Sequence, residues 1–166
     1  MNIEFRHAQP EDSENFKMTL NEALVRKLGM NDTSWEEAPF SDEEIQVMIA
    51  DGKGHAYVTN IEGQPAGAVL LLESDARAWG EDLGNDGLAL YIHKLSVRQA
   101  FAGRGVGEQI INWAAQHTKD QGRQYLRLDC HEDNAGLCNY YEKLGFQRVG
   151  THESDHSTSA LYQRDL

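Results

Sequence analysis

The chain is predicted to fold as one mixed α/β (α+β) domain, a single sheet with helices on its faces. Three observations carry this expectation. Short runs of alternating or wholly apolar residues take turns along the chain with stretches in which apolar residues recur every three or four positions. No repeat, linker or low-complexity tract breaks that alternation. A length of 166 residues suits one core, burying about 70% of the unfolded surface without staples.

Taken in order, Ile3 to His7 alternate as a short strand. Pro10-Glu11-Asp12 opens a helix whose Phe16, Leu20, Ala23, Leu24 and Leu28 fall at helical spacing, and Gly29 ends it. Residues 31–40 read as a loop carrying Trp35. Ser41 and Glu44 have the spacing of a capping box, and Ile45, Met48 and Ile49 form the buried face of the helix they open. His55 to Ile61 and Pro65 to Glu73 are two strands joined by Glu62-Gly63-Gln64, a hairpin by its length and glycine. Ser74 to Gly87 reads as a polar, acidic connection. Leu88 to Val97 is a long strand, and Gly105 to Gln121 a helix that turns Ile110, Ile111, Ala114 and Ala115 inward and stops at Gly122. A strand at Tyr125 to Asp129, a helix at Ala135 to Leu144 and strands near Gln147 to His152 and Ser159 to Arg164 complete the order β-α-α-β-β-β-α-β-α-β-β.

The junction of the long strand with the following helix carries the strongest chemical signal. Gly103, Gly105 and Gly107 alternate just where the helix opens, leaving backbone N–H groups uncovered beside its positive dipole end. Such a loop cradles an anion, and a phosphate-bearing ligand is the natural guest. Two well-known nucleotide loops are excluded by spacing. No Gly-Lys-Ser/Thr run exists for a P-loop. A dinucleotide fingerprint would need a third glycine where Glu108 or Ile110 stands.

What remains, Ala102-Gly103-Arg104-Gly105-Val106-Gly107, resembles the Q/R-x-x-G-x-G/A pyrophosphate loop of the GNAT family of N-acetyltransferases, with Ala102 in place of the usual Gln or Arg. Downstream, Asn134, Tyr141, Gly145 and Phe146 stand at the offsets of that family's N-x(6)-Y-x(3)-G-F signature. Two motifs in this order, with a helix and a strand between them, are far more specific than either alone. The likeness spans about residues 89–150; the N-terminal half matches by its order of elements.

The resemblance implies a mostly antiparallel sheet of about seven strands, splayed between the fourth and fifth and flanked by about four helices. It implies acetyl-CoA as co-substrate, lying in that wedge. Leu95, Ser96 and Val97 match the strand that meets pantetheine; Gly103, Arg104, Gly105, Val106, Gly107 and Glu108 match the pyrophosphate loop; Asn134 matches a contact to the pantetheine or sulfur end. Tyr141 matches the tyrosine that hydrogen-bonds or protonates the departing sulfur, with Tyr140 the neighbour if the register slips. The reaction implied is direct acyl transfer from the thioester to the primary amine of a small acceptor, with no covalent enzyme intermediate. A fold-sharing module that binds acyl-CoA without turnover is the alternative that Ala102 keeps open. Family members are often dimers, so a homodimer is also open.

An ammonium has no lone pair, so a base must take its proton. His93 stands four residues before Val97, and an imidazole, with an ordinary pKa near 6.5, suits that work at neutral pH. Asp129, Glu132 and Asp133 at the end of the next strand compete with it, as does a water chain. Trp35, Trp79 and the acidic connection are candidate acceptor-side elements.

Composition narrows the partners. A net charge of −12 from 27 acidic and 15 basic residues argues against nucleic acid and leaves CoA phosphates to local N–H groups and to Arg104 or Arg98. No apolar run of about 18 residues exists to cross a membrane, and the N-terminus lacks a basic-then-apolar leader pattern, so a cytoplasmic location is expected. Cys130 and Cys138 form no disulfide framework and read as reduced thiols. His152-Glu153-Ser154-Asp155-His156 spells H-E-x-x-H, but that motif binds zinc only on a helix, and here it follows a strand among loop-forming residues, so no metal is expected.

Overall fold

In the computed structural model, which describes residues 2–35, 38–52, 55–155 and 157–166, seven strands form one sheet. Glu62 and Gly63 both take positive φ (50° and 78°), as a two-residue type I′ hairpin requires, and so tie β2 (Ala56–Ile61) to β3 (Gln64–Leu72). β1 (Ile3–His7) adds to the free side of β2, and β4 (Ala89–Val97) to the free side of β3. A second group holds β5 (Tyr125–His131), β7 (Thr158–Asp165) and β6 (Gln147–Glu153), side by side in that order. All neighbours are antiparallel except β4 and β5, which join the two groups in parallel.

That joint is short. β4 and β5 pair only at Ala89↔Tyr125, Leu90↔Leu126 and Tyr91↔Arg127, and beyond them the strands part, so the expected splay lies here. Arg127 clamps its base. Its buried guanidinium donates to Asp86 Oδ2 (2.8 Å), the Leu83 carbonyl (2.7 Å) and the Tyr91 hydroxyl (2.9 Å), and to Gln163 Oε1 through Nε (2.8 Å). A second irregularity sits just inside the wedge. The β3–β4 register shifts between Ala68↔Ser96 and Leu70↔His93, and Lys94 takes φ +54°, a conformation uncommon for a non-glycine residue.

Among the described residues, five α-helices cover the sheet. A 3-10 turn at Pro10–Asp12 precedes α1 (Ser13–Gly29), so the proline starts a tighter turn than expected and the α-helix proper begins at Ser13. α1 buries Phe16, Leu20, Ala23 and Leu24, and with Ile45 and Ile49 of α2 (Asp42–Ile49) it packs on Val58, Ala68 and Leu70. Ser41 caps α2 by accepting the Glu44 N–H at 3.2 Å. Against the opposite face, α4 (Val106–Asp120) buries Val106, Ile110, Ile111, Ala114 and Ala115 among Val69, Leu71, Leu90 and Leu126. α5 (Ala135–Lys143) joins this core through Tyr141. Each large side chain fully buried here contributes about 1.5–3 kcal/mol.

The polar connection expected at residues 74–87 is instead partly helical. α3 (Ala76–Gly84) is capped by Asp75, whose side chain accepts from the Ala78 N–H at 3.2 Å, and it kinks at Gly80 (φ +75°). It forms because Trp79 can be buried against Tyr91 and Leu161, a tertiary contact with no signal in so short and glycine-broken a run. Trp79 is therefore core and not an acceptor-side residue, which corrects that expectation. Among the described residues, no helix is long and apolar enough to cross a membrane.

Candidate active site

Where β4 and β5 part, a cavity of about 230 Å³ opens. Ile92, His93 and Leu95 reach it from β4, Leu128, Asp129 and Cys130 from β5, and Tyr141 from α5. A larger open groove of about 780 Å³ lies between α1 and α2, away from both motifs.

The glycine loop forms the entrance to α4, and its three glycines serve two purposes. Gly103 and Gly105 have φ of +73° and +76°, values that other residues reach only under strain. Gly105 is the N-cap of α4 and has no side chain to cap it, so the first-turn N–H groups of Val106, Gly107 and Glu108 are left for a ligand. Gly107 is needed for closeness: a Cβ there would stand 2.8 Å from the Tyr140 hydroxyl. Exposed Arg104 lies over the Phe101 ring at 5.3 Å, beside the loop. Arg98 is held instead by Glu22 of α1, with Nε 3.1 Å from Oε2. An uncapped helix start and glycine backbone suit the phosphates of a CoA-type ligand.

On β4, Leu95 lines the cavity, Ser96 is buried with its Oγ on the Lys94 carbonyl at 3.0 Å, and the Val97 carbonyl accepts from Arg26 of α1. Past Tyr91, the edge of β4 that faces β5 has no strand partner among the described residues, so its backbone is open to an extended ligand.

Tyr141, not Tyr140, lines the cavity; Tyr140 is spent packing over Gly107. Tyr141 is buried among the rings of Tyr140, Phe146 and Tyr162, and burial pushes its hydroxyl well above the ordinary phenol range. It therefore stays protonated and available as a donor. Asn134 caps α5 by accepting the Leu137 N–H at 3.1 Å, and its amide donates to Asp32 Oδ2 at 2.9 Å. Both ends of this side chain are thus engaged within the protein.

His93 meets Asp75 at 2.9 Å, Nε2 to Oδ2, and Asp129 lies close enough that one ligand-type atom from each of the three falls within 4.8 Å of the others. Such a set could hold a metal ion, though a hydrogen-bonded acid–base pair with a nearby carboxyl has the same spacing. Burial opposes ionisation of Asp75, but the His93 hydrogen bond and charge and the Ala78 N–H outweigh it and hold this carboxyl below the ordinary range. Asp129 goes the other way, raised by burial and by the charge of Asp75. Of its fellow competitors, Glu132 pairs with Arg148 at 3.0 Å and Asp133 is exposed, and neither lines the cavity.

Cys130 and Cys138 are free thiols with their sulfurs 3.7 Å apart. Burial and the neighbouring sulfur push the Cys130 thiol far up, which disfavours a nucleophilic thiolate. Trp35 lines the cavity, with Lys94 Nζ 4.8 Å from its ring centre. His152 also lines it, from β6; the H-E-x-x-H run has no helix at its start, and His156 lies outside the described residues. Sequence reasoning missed Asp75 as a partner of His93, the Lys94 bulge and the Asp32–Asn134 tie. An acidic residue just ahead of a buried tryptophan was the only signal for the first.

A wedge of this shape, with a glycine-capped helix at its mouth and a tyrosine inside, defines a class of acyl-CoA-handling folds. The model of the acetyltransferase (GNAT) family matches residues 22–146, and the chain belongs to that family. It is 31% identical over 118 residues to an uncharacterized N-acetyltransferase, YesJ, of Bacillus subtilis (strain 168), a match covering 69% of this chain and 63% of that relative. The chain thus spans less than two thirds of that relative's length. A thialysine N-epsilon-acetyltransferase of Bos taurus is 26% identical over 145 residues, covering 80% of each chain. Among solved structures, a GNAT-family acetyltransferase from Listeria monocytogenes superposes with a TM-score of 0.80 at 27% identity, covering 99% of this chain and 95% of that one.

Proposed function

We propose that this chain moves an acetyl group from acetyl-CoA to the primary amine of a small molecule by direct attack in a ternary complex. What carries the reading is the meeting, in one cavity, of a base and an acid from opposite sides of the wedge: His93 of β4 and Tyr141 of α5. Bound there, acetyl-CoA supplies an activated acyl carbon and a thiolate leaving group. The α4 N-terminus and Arg104 hold its phosphates, the open edge of β4 at Leu95 to Val97 holds its pantetheine, and Asn134 fixes the start of α5 at the sulfur end.

His93 takes the acceptor's excess proton, which frees the lone pair for attack. Tyr141, kept protonated by burial, donates toward the sulfur as negative charge develops on it. No cysteine is needed as a nucleophile, in keeping with the raised Cys130 thiol. The acceptor enters from the side of Trp35, Asp75 and His152, where the cavity walls are polar and charged and suit a small hydrophilic amine. The name of the Bos taurus relative, which specifies an ε-amine, supports an acceptor of that type.

The test is thiol release from acetyl-CoA over a panel of amino acids, polyamines, aminoglycosides and peptide N-termini, with product mass read in parallel. Release matched by an acetylated small amine supports the reading. CoA binding without release across the panel would favour the non-catalytic module.

A further inference from the structure

The acid–base pair inside the wedge has a built-in direction. Asp75 stands at the N-cap of α3 and uses its two carboxylate oxygens for two tasks: Oδ1 accepts the Ala78 N–H at 3.2 Å, and Oδ2 faces His93 Nε2 at 2.9 Å. The cap fixes the carboxylate, so the carboxylate fixes the imidazole. The Asp75 side chain is only 8% exposed and that of His93 27%, so water competes weakly for their bond. No hydrogen bond to His93 Nδ1 is formed among the described residues.

A carboxylate can only accept, so Nε2 must carry the proton that bridges the pair, and a neutral imidazole then bears its lone pair on Nδ1. We propose that Asp75 is the positioning residue of the transfer reaction: it holds His93 in the Nε2–H tautomer so that Nδ1 receives the acceptor's proton. This rests on the acetyl-transfer reading of the same cavity. The proton balance is closed. Nδ1 gains the proton that the ammonium loses, the imidazolium so formed is stabilised by Asp75, and the carboxylate itself stays ionised. The other charged or titratable groups that line the cavity with the ring are Arg77 on α3, Asp129 on β5, His152 on β6, Lys94 on its own strand and Lys27 on α1. Among the described residues, Arg77, Asp129, His152 and Lys27 make no hydrogen bond to the imidazole.

The discriminating variant is Asp75→Asn. An asparagine caps α3 as well as an aspartate does, because its carbonyl oxygen accepts the same Ala78 N–H. Its NH2 group then faces Nε2 and forces the proton to Nδ1, which is the wrong tautomer for the reaction. A cap-only role for Asp75 predicts no loss; the positioning role predicts a large one. With the best amine from the panel, kcat should fall on the order of a hundredfold or more, while KM for acetyl-CoA and Tm stay close to the parent's. Histidine-labelled nitrogen NMR, with the His93 signals assigned by their loss in His93→Gln, should show Nε2–H in the parent and Nδ1–H in Asp75→Asn. Asp75→Glu, which restores an acceptor, should recover part of the rate and the parent tautomer.

Unchanged turnover in Asp75→Asn beside an active parent overturns the Asp75 assignment alone. So does an Nδ1–H tautomer in the parent. A parent that acetylates no amine overturns both this assignment and the reaction it serves.

Discussion

Replacing Asp32 by asparagine should destabilise the fold by about 3 kcal/mol at neutral pH, although the two side chains have nearly the same shape. Asp32 is 1% exposed, in the turn that leaves α1, and four donors converge on its two oxygens. The Ser34 N–H and Oγ reach Oδ1 at 3.0 and 2.6 Å, and Lys27 Nζ and Asn134 Nδ2 reach Oδ2 at 3.2 and 2.9 Å. An amide has one accepting end. One way round, its NH2 group meets the Lys27 ammonium and the Asn134 amide; the other way it meets the Ser34 N–H, and only the Ser34 hydroxyl can turn to accept from it. Burial opposes the charge, but the Asn134, Ser34 and Lys27 contacts together hold the Asp32 carboxyl at about 2, well under its ordinary 3.8. That depression alone is worth about 2 kcal/mol, and the donors left facing donors supply the rest.

The sign of the pH effect follows from the folded carboxyl titrating below the unfolded one. The contribution is fully present above about pH 4 and is lost as pH falls through about 2. Urea denaturation of parent and Asp32→Asn at pH 7 should differ by about 3 kcal/mol, and Tm by on the order of 10 °C for a chain of this size. The charge part of the gap should shrink by about half near pH 3. Because Asn134 caps the helix that bears Tyr141, CoA affinity should weaken as well. A stability difference under about 1 kcal/mol, or one that does not narrow in acid, would refute the four-donor account.

Three other outcomes are expected. Gly105→Val should weaken CoA binding at least about tenfold by calorimetry, because a β-branched residue at φ +76° strains the loop and covers the α4 donors; unchanged affinity in a folded variant would remove the cradle. Tyr141→Phe should keep the ring packing with Phe146 and Tyr162 and leave CoA affinity intact while turnover falls, and turnover within about twofold of the parent would assign the acid elsewhere. His93→Gln should slow turnover at neutral pH by on the order of a hundredfold while CoA affinity is retained, because it removes the group that takes the acceptor's proton. An unchanged rate in that variant would point to Asp129, which also lines the cavity and whose carboxyl burial has raised.

The parts of the site legible in the sequence are those written by contiguous residues. Gly103, Gly105 and Gly107 show a loop with uncovered amides because glycine is what such a backbone requires, and Asn134 and Tyr141 sit on one short helix at fixed spacing. Strand and helix order, α3 excepted, was legible for the same reason, since periodicity is local. The unread features are made by residues far apart. Asp32 and Asn134 are separated by 102 positions, and Asp75 and His93 by 18 with a kinked helix between them. Trp35 and Trp79 look alike in sequence, but only the fold puts one in the cavity and the other in the core. The Lys94 bulge has no composition signal either, because the cost of its positive φ is met by the strands on which it sits.

Direct transfer is the claim on which the rest depends, and single-turnover rapid quench tests it most directly. The protein is loaded with a substoichiometric amount of labelled acetyl-CoA and mixed with the best amine from the panel, and the label is followed in CoA, chain and amine by intact and product mass. The account predicts that the label leaves acetyl-CoA and arrives on the amine with one rate constant, that one CoA thiol appears per acetylated amine, and that the chain carries no acetyl group at any time. An acetylated chain formed and consumed on the way, at Cys130, Cys138 or elsewhere, would contradict it.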